Sequence, residues 1–187
     1  MNRTHALFER LSALMQQAVR EDAARHGLLP IQFQILGYLA QANRYSDIPI
    51  AVAEYFGITR GTVSQTLAVL EGKGLLRKEP DPRHGKRVHL KLTKKGEALL
   101  QETWTQRLDK AMPGDLNSRE VLEEGLHTLL TTLQHLNNNQ AFGVCQHCAH
   151  FLQEDGGWRC GLTGEPLDDR QRIRICREWR REAAPHG

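Results

Sequence analysis

The middle of the sequence changes its periodicity once, from helical to extended, and this change restricts the possible folds more than any other feature. Ser46 or Asp47 is placed to cap a short helix through IPIAVAEYF, and Gly57 ends that helix. Thr59 then caps a second helix, RGTVSQTLAVLEGKG, which has an apolar stripe on one side and a polar face on the other. The stretches LLRKE and RVHLKLT follow, and the segment PDPRHGK between them predicts a hairpin with a basic turn.

A short helix, a glycine turn, a second helix and a hairpin occur in this order in a winged helix-turn-helix. In that fold the second helix enters the major groove of DNA with its first turn, while the hairpin follows the phosphate backbone or the minor groove. We therefore expect the helix to set specificity and the hairpin to set affinity. The predicted DNA-contacting residues are Thr59, Arg60, Thr62, Ser64 and Gln65 on the helix, and Arg83, His84, Lys86 and Arg87 on the hairpin.

The charge of the chain is concentrated in the same region. Residues 57–97 contain ten basic and four acidic residues, although the net charge of the whole chain is only +3. A local basic excess beside helix-turn signals is typical of a nucleic-acid-binding surface. The sequence contains no phosphate-binding glycine loop, nucleotide fingerprint or nucleophile with an obvious base, so we do not predict an enzyme.

Helices are predicted on both sides of this region, which makes the fold class mainly α with a small β-hairpin. Residues 4–26 and 28–43 form the first two helices, and Thr93 caps a long helix over residues 94–112. Asn117 begins another helix, which carries a leucine run up to Leu136. A run this apolar is expected to contact a second subunit or to be covered within one subunit.

The segment ITRGTVSQTLAVLEGKGLLRKEPDPRHGKRVHLKLTKKGEALL resembles the core of the MarR family of bacterial transcription regulators. The resemblance includes the DPR that opens the wing and the LTKKG that follows it, and it extends more loosely over residues 4–136. It implies a homodimer in which the first and last two helices interlock, so that two recognition helices bind successive major grooves of a palindromic operator. It also implies a repressor that a small ligand or an oxidant releases from DNA.

All four cysteines lie in the last quarter of the chain. Cys145, Cys148, Cys160 and Cys176 have the spacing C-x2-C-x11-C-x15-C, and they follow a polar break at residues 137–140. We therefore predict two domains, residues 1–140 and residues 141–187, and call the second the cysteine module. No leader or membrane-spanning run is evident, so the expected location is the cytoplasm, where thiols stay reduced and clustered cysteines bind metals.

Four thiolates suit either an iron–sulfur cluster or a zinc ion. Zinc ribbons usually pair two C-x-x-C turns, whereas the third and fourth cysteines here are solitary, so an iron–sulfur cluster is the first expectation and zinc the second. The module is too small to fold on apolar burial alone, and metal ligation is expected to stabilise it. His147 and His150 are predicted to be surface residues rather than ligands.

Together these features predict a homodimeric DNA-binding repressor whose operator affinity is controlled by a cysteine-ligated metal site next to the dimer helices. One alternative is a MarR-type regulator that senses a small ligand between its dimerisation helices and its winged domain, with a purely structural zinc tail. A second alternative is a redox or electron-transfer protein in which the winged helix is a docking module.

Overall fold

The computed structural model describes residues 2–82, 85–101, 103–137, 140–154 and 156–181. Up to residue 137 the chain is helical apart from one antiparallel hairpin, which confirms the predicted winged helix-turn-helix. The elements of this part are α1 Arg3–Arg25, α2 Pro30–Gln41, α3 Pro49–Phe56, α4 Arg60–Gly72, β1 Leu76–Pro80, β2 Val88–Leu92, α5 Lys94–Ala98, α6 Trp104–Ala111 and α7 Leu116–Leu136.

The turn between α3 and α4 is built by the residues that its sequence indicates. Gly57 has a left-handed backbone with φ 62°, which a side chain would disfavour, and it closes α3. The Thr59 hydroxyl accepts a hydrogen bond from the Thr62 N–H at 3.2 Å and so caps α4. The apolar side of α4 is buried through Val63, Leu67 and Leu70. Its opposite side therefore faces solvent with a fixed orientation.

The hairpin is anchored to the helices at its base. Strands β1 and β2 are paired in register from Leu76 opposite Leu92 to Pro80 opposite Val88. The packing is tight where α5 begins, because a Cβ atom on Gly96 would lie 2.1 Å from the carbonyl oxygen of Leu75. Only glycine fits at this position, and the wing is held close to the helical core.

Two predicted helix starts are wrong. Helix α3 begins after Ile48, with no side-chain cap, because Ser46 and Asp47 use their side chains in other contacts. Helix α7 is capped by Asp115 rather than by Asn117, since the Asp115 carboxylate accepts a hydrogen bond from the Ser118 N–H at 2.8 Å.

The long helix predicted after Thr93 is in fact two helices. Helix α5 ends at Ala98, and α6 begins only at Trp104. The backbone N–H of Trp104 donates a 2.7 Å hydrogen bond to the buried carboxylate of Asp22 in α1. Arg107 pairs with the same carboxylate at 3.5 Å. A contact with a distant helix therefore fixes the start of α6.

The apolar faces of α1 and α7 remain exposed in one subunit. No described residue of α7 is buried, and Leu116 is 78% exposed. In α1 the side chains of Leu7, Leu11 and Leu14 are also exposed. Of the two alternatives for the leucine run, coverage within a single subunit is therefore wrong. None of the helices in the described ranges is both long and apolar enough to cross a bilayer.

The described part of the cysteine module consists of short strands around its cysteines. Its elements are β3 Gly143–Val144, a 3-10 turn Cys145–His147, β4 Phe151–Glu154, β5 Gly157–Cys160, β6 Pro166–Leu167, α8 Asp169–Arg172 and β7 Ile175–Cys176. Strands β4, β5 and β6 form one antiparallel sheet, and β3 pairs with β7. Phe142 packs into the core of the winged helix, and Ile175 packs against that core.

Candidate nucleic-acid interface and cysteine site

The predicted DNA-contacting residues of α4 share one exposed face. Arg60, Ser64 and Gln65 are exposed, and each leaves its polar end available to a ligand. Thr59 and Thr62 are exposed as well, but their hydroxyls are hydrogen-bonded to each other at 2.9 Å. Thr59 therefore has a structural role as the helix cap in addition to any contact with DNA.

The turn of the wing presents further positive charge. Lys86 and Arg87 are exposed. The Asp81 N–H donates a 2.9 Å hydrogen bond to the Arg87 carbonyl, which closes the turn where the strands end. Arg83 and His84, also predicted to contact DNA, lie outside the described residues. The described wing residues and the exposed face of α4 together form a polar and basic surface.

The base of the wing is tied to the loop between α2 and α3 through a single acid. Asp47 is buried, and its carboxylate is hydrogen-bonded to His89 and to Lys91, each at 2.5 Å. The backbone carbonyl of Asp47 also accepts a 2.7 Å hydrogen bond from the Leu90 N–H. The alternation of β2 predicts that His89 and Lys91 point outward. They do leave the core face, and there both side chains contact the loop through Asp47. Sequence reasoning assigned Asp47 only to a helix cap.

The four cysteines lie around one small cavity, and their role as metal ligands stays a prediction. Each is between 4% and 8% exposed, none forms a disulfide, and all four line one small cavity of about 10 Å³. Tyr45, His150 and Glu178 contribute to the same cavity wall. As the described side chains stand, no group of three or more His, Cys, Asp or Glu residues could hold a metal ion.

One backbone N–H contacts a cysteine sulfur: the Arg180 N–H donates to the Cys148 sulfur at 3.4 Å. Burial raises the pKa of Cys176, and the nearby polar groups of Asn43 and Glu178 oppose that increase. Burial also raises the pKa of Cys145 to about 12, and the neighbouring cysteines add to the effect. A bound cation is what would stabilise thiolates in such surroundings.

The two histidines of the module differ from each other. His147 is exposed, as predicted, and its backbone carbonyl accepts a 2.8 Å hydrogen bond from the Trp179 indole. His150 is half-buried against the cysteine cavity, and among the described residues its Nε2 atom has no hydrogen-bond partner. The expectation of an ordinary surface residue is therefore wrong for His150.

Comparison with known proteins identifies the architecture. Residues 26–87 match the sequence model of the MarR family. A MepR point mutant from a multidrug-resistant Staphylococcus aureus clinical isolate is 23% identical, with a TM-score of 0.59 over 71% of this chain and 99% of that one. A MarR-family regulator of Silicibacter pomeroyi is 19% identical, with a TM-score of 0.58 over 70% and 90%. The S. aureus MepR–DNA complex is 23% identical, with a TM-score of 0.52 over 71% and 98%.

This chain has the MarR winged-helix fold. No curated protein is significantly similar to it in sequence. The match to the MarR family model ends at residue 87, within the hairpin, and the first cysteine comes only at residue 145. The cysteine module is thus an addition to the part of the MarR fold that the family model describes.

Proposed function

We propose that this protein is a DNA-binding transcriptional regulator of the MarR type. The observation that carries the proposal is the exposed polar face of α4 beside a basic wing, on a fold shared with a regulator solved in complex with DNA. Helices of this kind read base edges in the major groove, and basic wings bind phosphates.

Each residue has a role that follows from its chemistry. Thr62, Ser64 and Gln65 carry short donors and acceptors that suit base edges, whereas Arg60 suits a base or a phosphate. Thr59 orients the first turn of α4 through its cap. The wing residues Arg83, His84, Lys86 and Arg87 contribute charge, and their contacts are expected to depend little on base sequence.

The regulator acts as a homodimer in this proposal. The exposed apolar faces of α1 and α7 support this, because faces of that size are normally covered by another chain. A two-fold dimer presents two α4 helices, and the expected operator is a palindrome with half-sites about one helical turn apart. Repression is the first expectation for its effect on transcription.

Selection of bound fragments from random duplex DNA, followed by footprinting, tests the proposal. The expected result is a two-fold symmetric protected site whose affinity falls as salt is raised. Salt-independent binding, or binding without preference among fragments, would contradict it.

The four cysteines hold a metal group as thiolates in this proposal, with an iron–sulfur cluster as the first candidate and zinc as the second. The convergence of four buried sulfurs on one cavity and the N–H donor at Cys148 support this. Among the described residues, the apolar side chains that are buried around the cysteines are Leu167 and Trp179, which is little apolar burial for folding. Metal occupancy would then stabilise the module and modulate operator affinity.

The absorption spectrum and the metal content of protein isolated without oxygen distinguish an iron–sulfur cluster from zinc. A visible absorption band with equal iron and sulfide indicates a cluster, whereas a colourless protein with one zinc per chain indicates zinc. Cys148→Ser is expected to lower the metal content in either case. Wild-type protein that contains neither metal would contradict the proposal for the cysteines and leave the DNA-binding proposal standing.

One further observation favours the alternative of a small-molecule effector. A cavity of about 600 Å³ lies between α3 and α7, and its lining includes Tyr55, His127, Leu130 and Phe142. A cavity of this size and composition fits a drug-sized apolar ligand. Operator binding that responds to aromatic compounds but not to metal removal would favour this alternative, with the cysteine module as a structural tail.

A further inference from the structure

The loop between α2 and α3 lies between the two proposed sites. We call residues 42–48 the docking loop. Three of its polar residues, Asn43, Ser46 and Asp47, are almost fully buried, with exposed fractions of 0%, 0% and 3%. An unpaired buried polar group costs free energy, so the hydrogen bonds that this loop makes indicate what it holds together.

One side of the docking loop holds the last strand of the cysteine module. The Asn43 N–H donates to the Ile175 carbonyl at 2.9 Å, and the Arg177 N–H donates to the Ser46 hydroxyl at 2.8 Å. The Arg177 guanidinium also pairs with Glu54 of α3 through both carboxylate oxygens. Cys176 stands between these contacts, so its position is coupled to the position of the loop.

The Asn43 side chain holds the docking loop in shape from within. Its Oδ1 atom accepts hydrogen bonds from the Tyr45 N–H at 3.0 Å and from the Ser46 hydroxyl at 2.8 Å. These two bonds fix the orientation of the amide and commit its oxygen. The Nδ2 atom is buried and has no hydrogen-bond partner among the described residues. The Asn43 side chain therefore orders the docking loop through its oxygen, and the Ser46 hydroxyl that it binds is the one that accepts the Arg177 N–H.

The other side of the docking loop holds the wing. The Asp47 carboxylate bridges His89 and Lys91, and its carbonyl binds the Leu90 N–H. These three residues occupy the centre of β2, the strand that leads out of the wing turn. A displacement of Asp47 would therefore move the wing relative to α4.

We propose that the docking loop couples the cysteine site to the wing within one subunit, with Ser46 and Asp47 as the positioning residues. The inference rests on the proposed function, because it requires a metal-bound cysteine site and a DNA-bound wing. Sequence order alone suggested a different route, through the dimer helix α7 that precedes the module. The module does touch α7 where the rings of His127 and Trp179 lie 5.1 Å apart. Among the described residues, however, the backbone hydrogen bond between the module and the winged helix runs from Asn43 of the docking loop to Ile175.

Two substitutions test the proposal, one in the contact of the docking loop with the wing and one in its contact with the cysteine module. Asp47→Asn keeps the shape of the side chain and removes the charge that holds His89 and Lys91. Ser46→Ala removes the acceptor of the Arg177 N–H and leaves the cysteines untouched. Glu154→Gln is the matched control, because Glu154 pairs with Arg159 inside the module.

Operator affinity is measured for each protein as isolated without oxygen, after EDTA treatment, and after reloading with Zn²⁺ alone or with iron and sulfide, as elemental analysis dictates. In the wild type we expect metal removal to change operator affinity by about 10-fold, a typical allosteric coupling. The ratio of the operator affinities with and without metal should fall to within about 2-fold in Asp47→Asn and Ser46→Ala. In Glu154→Gln it should stay at the wild-type value. Hydrogen exchange of residues 88–92 should respond to metal removal in the wild type and not in Asp47→Asn.

The outcomes separate the inference from the proposed function. If both substitutions keep the wild-type ratio at full metal content, or if the wild-type ratio is unity, the docking loop is not the route although DNA and metal binding stand. If the wild type binds no operator or no metal, the proposed function fails and the inference fails with it.

Discussion

The residues of the candidate interface differ in whether they also stabilise the fold, as the hydroxyls of Thr59 and Thr62 show. Thr59 caps α4 and binds Thr62, so its loss would disturb the helix before it disturbed any contact with DNA. Gln65 and Lys86 have no such structural bond among the described residues, and both are exposed. They are therefore the cleaner probes of base reading and of phosphate binding.

Replacement of Gln65 and of Lys86 by alanine should affect DNA binding in different ways. Gln65→Ala is expected to weaken operator binding by about 1–3 kcal/mol and to relax the preference at one base pair. Lys86→Ala should weaken all duplexes alike and reduce the salt slope by about 1. Fluorescence anisotropy with operator and scrambled duplexes at several salt concentrations measures both effects. Equal losses on the two duplexes for Gln65→Ala would exclude it from base reading.

Gly96 provides a test of the packing between the wing and α5. Gly96→Ala would place a methyl group on the Leu75 carbonyl, and the forced backbone shift should lower the free energy of unfolding by about 1–3 kcal/mol. Gly37→Ala in α2 is the control, since open space surrounds its Cβ and alanine favours a helix by about 1 kcal/mol. Urea unfolding measures the free energy of unfolding of both variants. Equal stability of the two variants would contradict the tight packing.

At the scale of elements, the local signals of the sequence were sufficient where an element is defined by its own residues. Gly57, Thr59 and the alternation of β2 predicted the helix-turn-helix and the hairpin correctly. The break between α5 and α6 left no local signal, because the Asp22 carboxylate that fixes Trp104 lies 82 residues away. The use of Asp47 by the wing was missed for the same reason.

Asp22→Asn tests whether α1 fixes the start of α6. Asp22 is buried, accepts the Trp104 N–H and pairs with Arg25 and Arg107, so loss of its charge should lower the free energy of unfolding by about 1–3 kcal/mol. Glu21→Gln, the exposed neighbour on the same helix, should change it by less than about 0.5 kcal/mol. Urea denaturation measures both variants. A neutral Asp22→Asn would show that the break has another cause.

The whole molecule combines a winged-helix fold with the cysteine module, and the boundary at residue 140 stays a prediction. The four cysteines line one cavity, and metal binding by them stays a prediction. The attachment of the module was not predictable from the sequence. Asn43 and Cys176 are far apart in sequence, and no periodic pattern reports a contact between a loop and a short strand. The packing of Phe142 and Ile175 with the winged-helix core likewise depends on tertiary contacts alone.

A charge on the apolar face of α7 should separate the proposed dimer. Leu126→Glu places a carboxylate at a position that is 45% exposed in one subunit and would be covered in a dimer. We expect a monomer whose operator affinity falls by about 10²–10⁴-fold, because the two recognition helices no longer bind together. Leu152→Glu in β4, at 44% exposure, is the control and should stay dimeric. Analytical sedimentation measures the oligomeric state of both variants, and fluorescence anisotropy measures their operator affinity. A dimeric Leu126→Glu would contradict this interface.

The contact between Ser46 and Arg177 spans 131 residues, and this separation has a consequence for the protein during its synthesis. Ribosomes add roughly 5–20 residues per second, so the helix-turn-helix emerges on the order of ten seconds before the strand that completes its loop. Throughout that interval the nascent chain carries Asn43 and Ser46 without their C-terminal partners. Translation that stops early would release a winged helix whose docking loop lacks the module residues that hydrogen-bond to it.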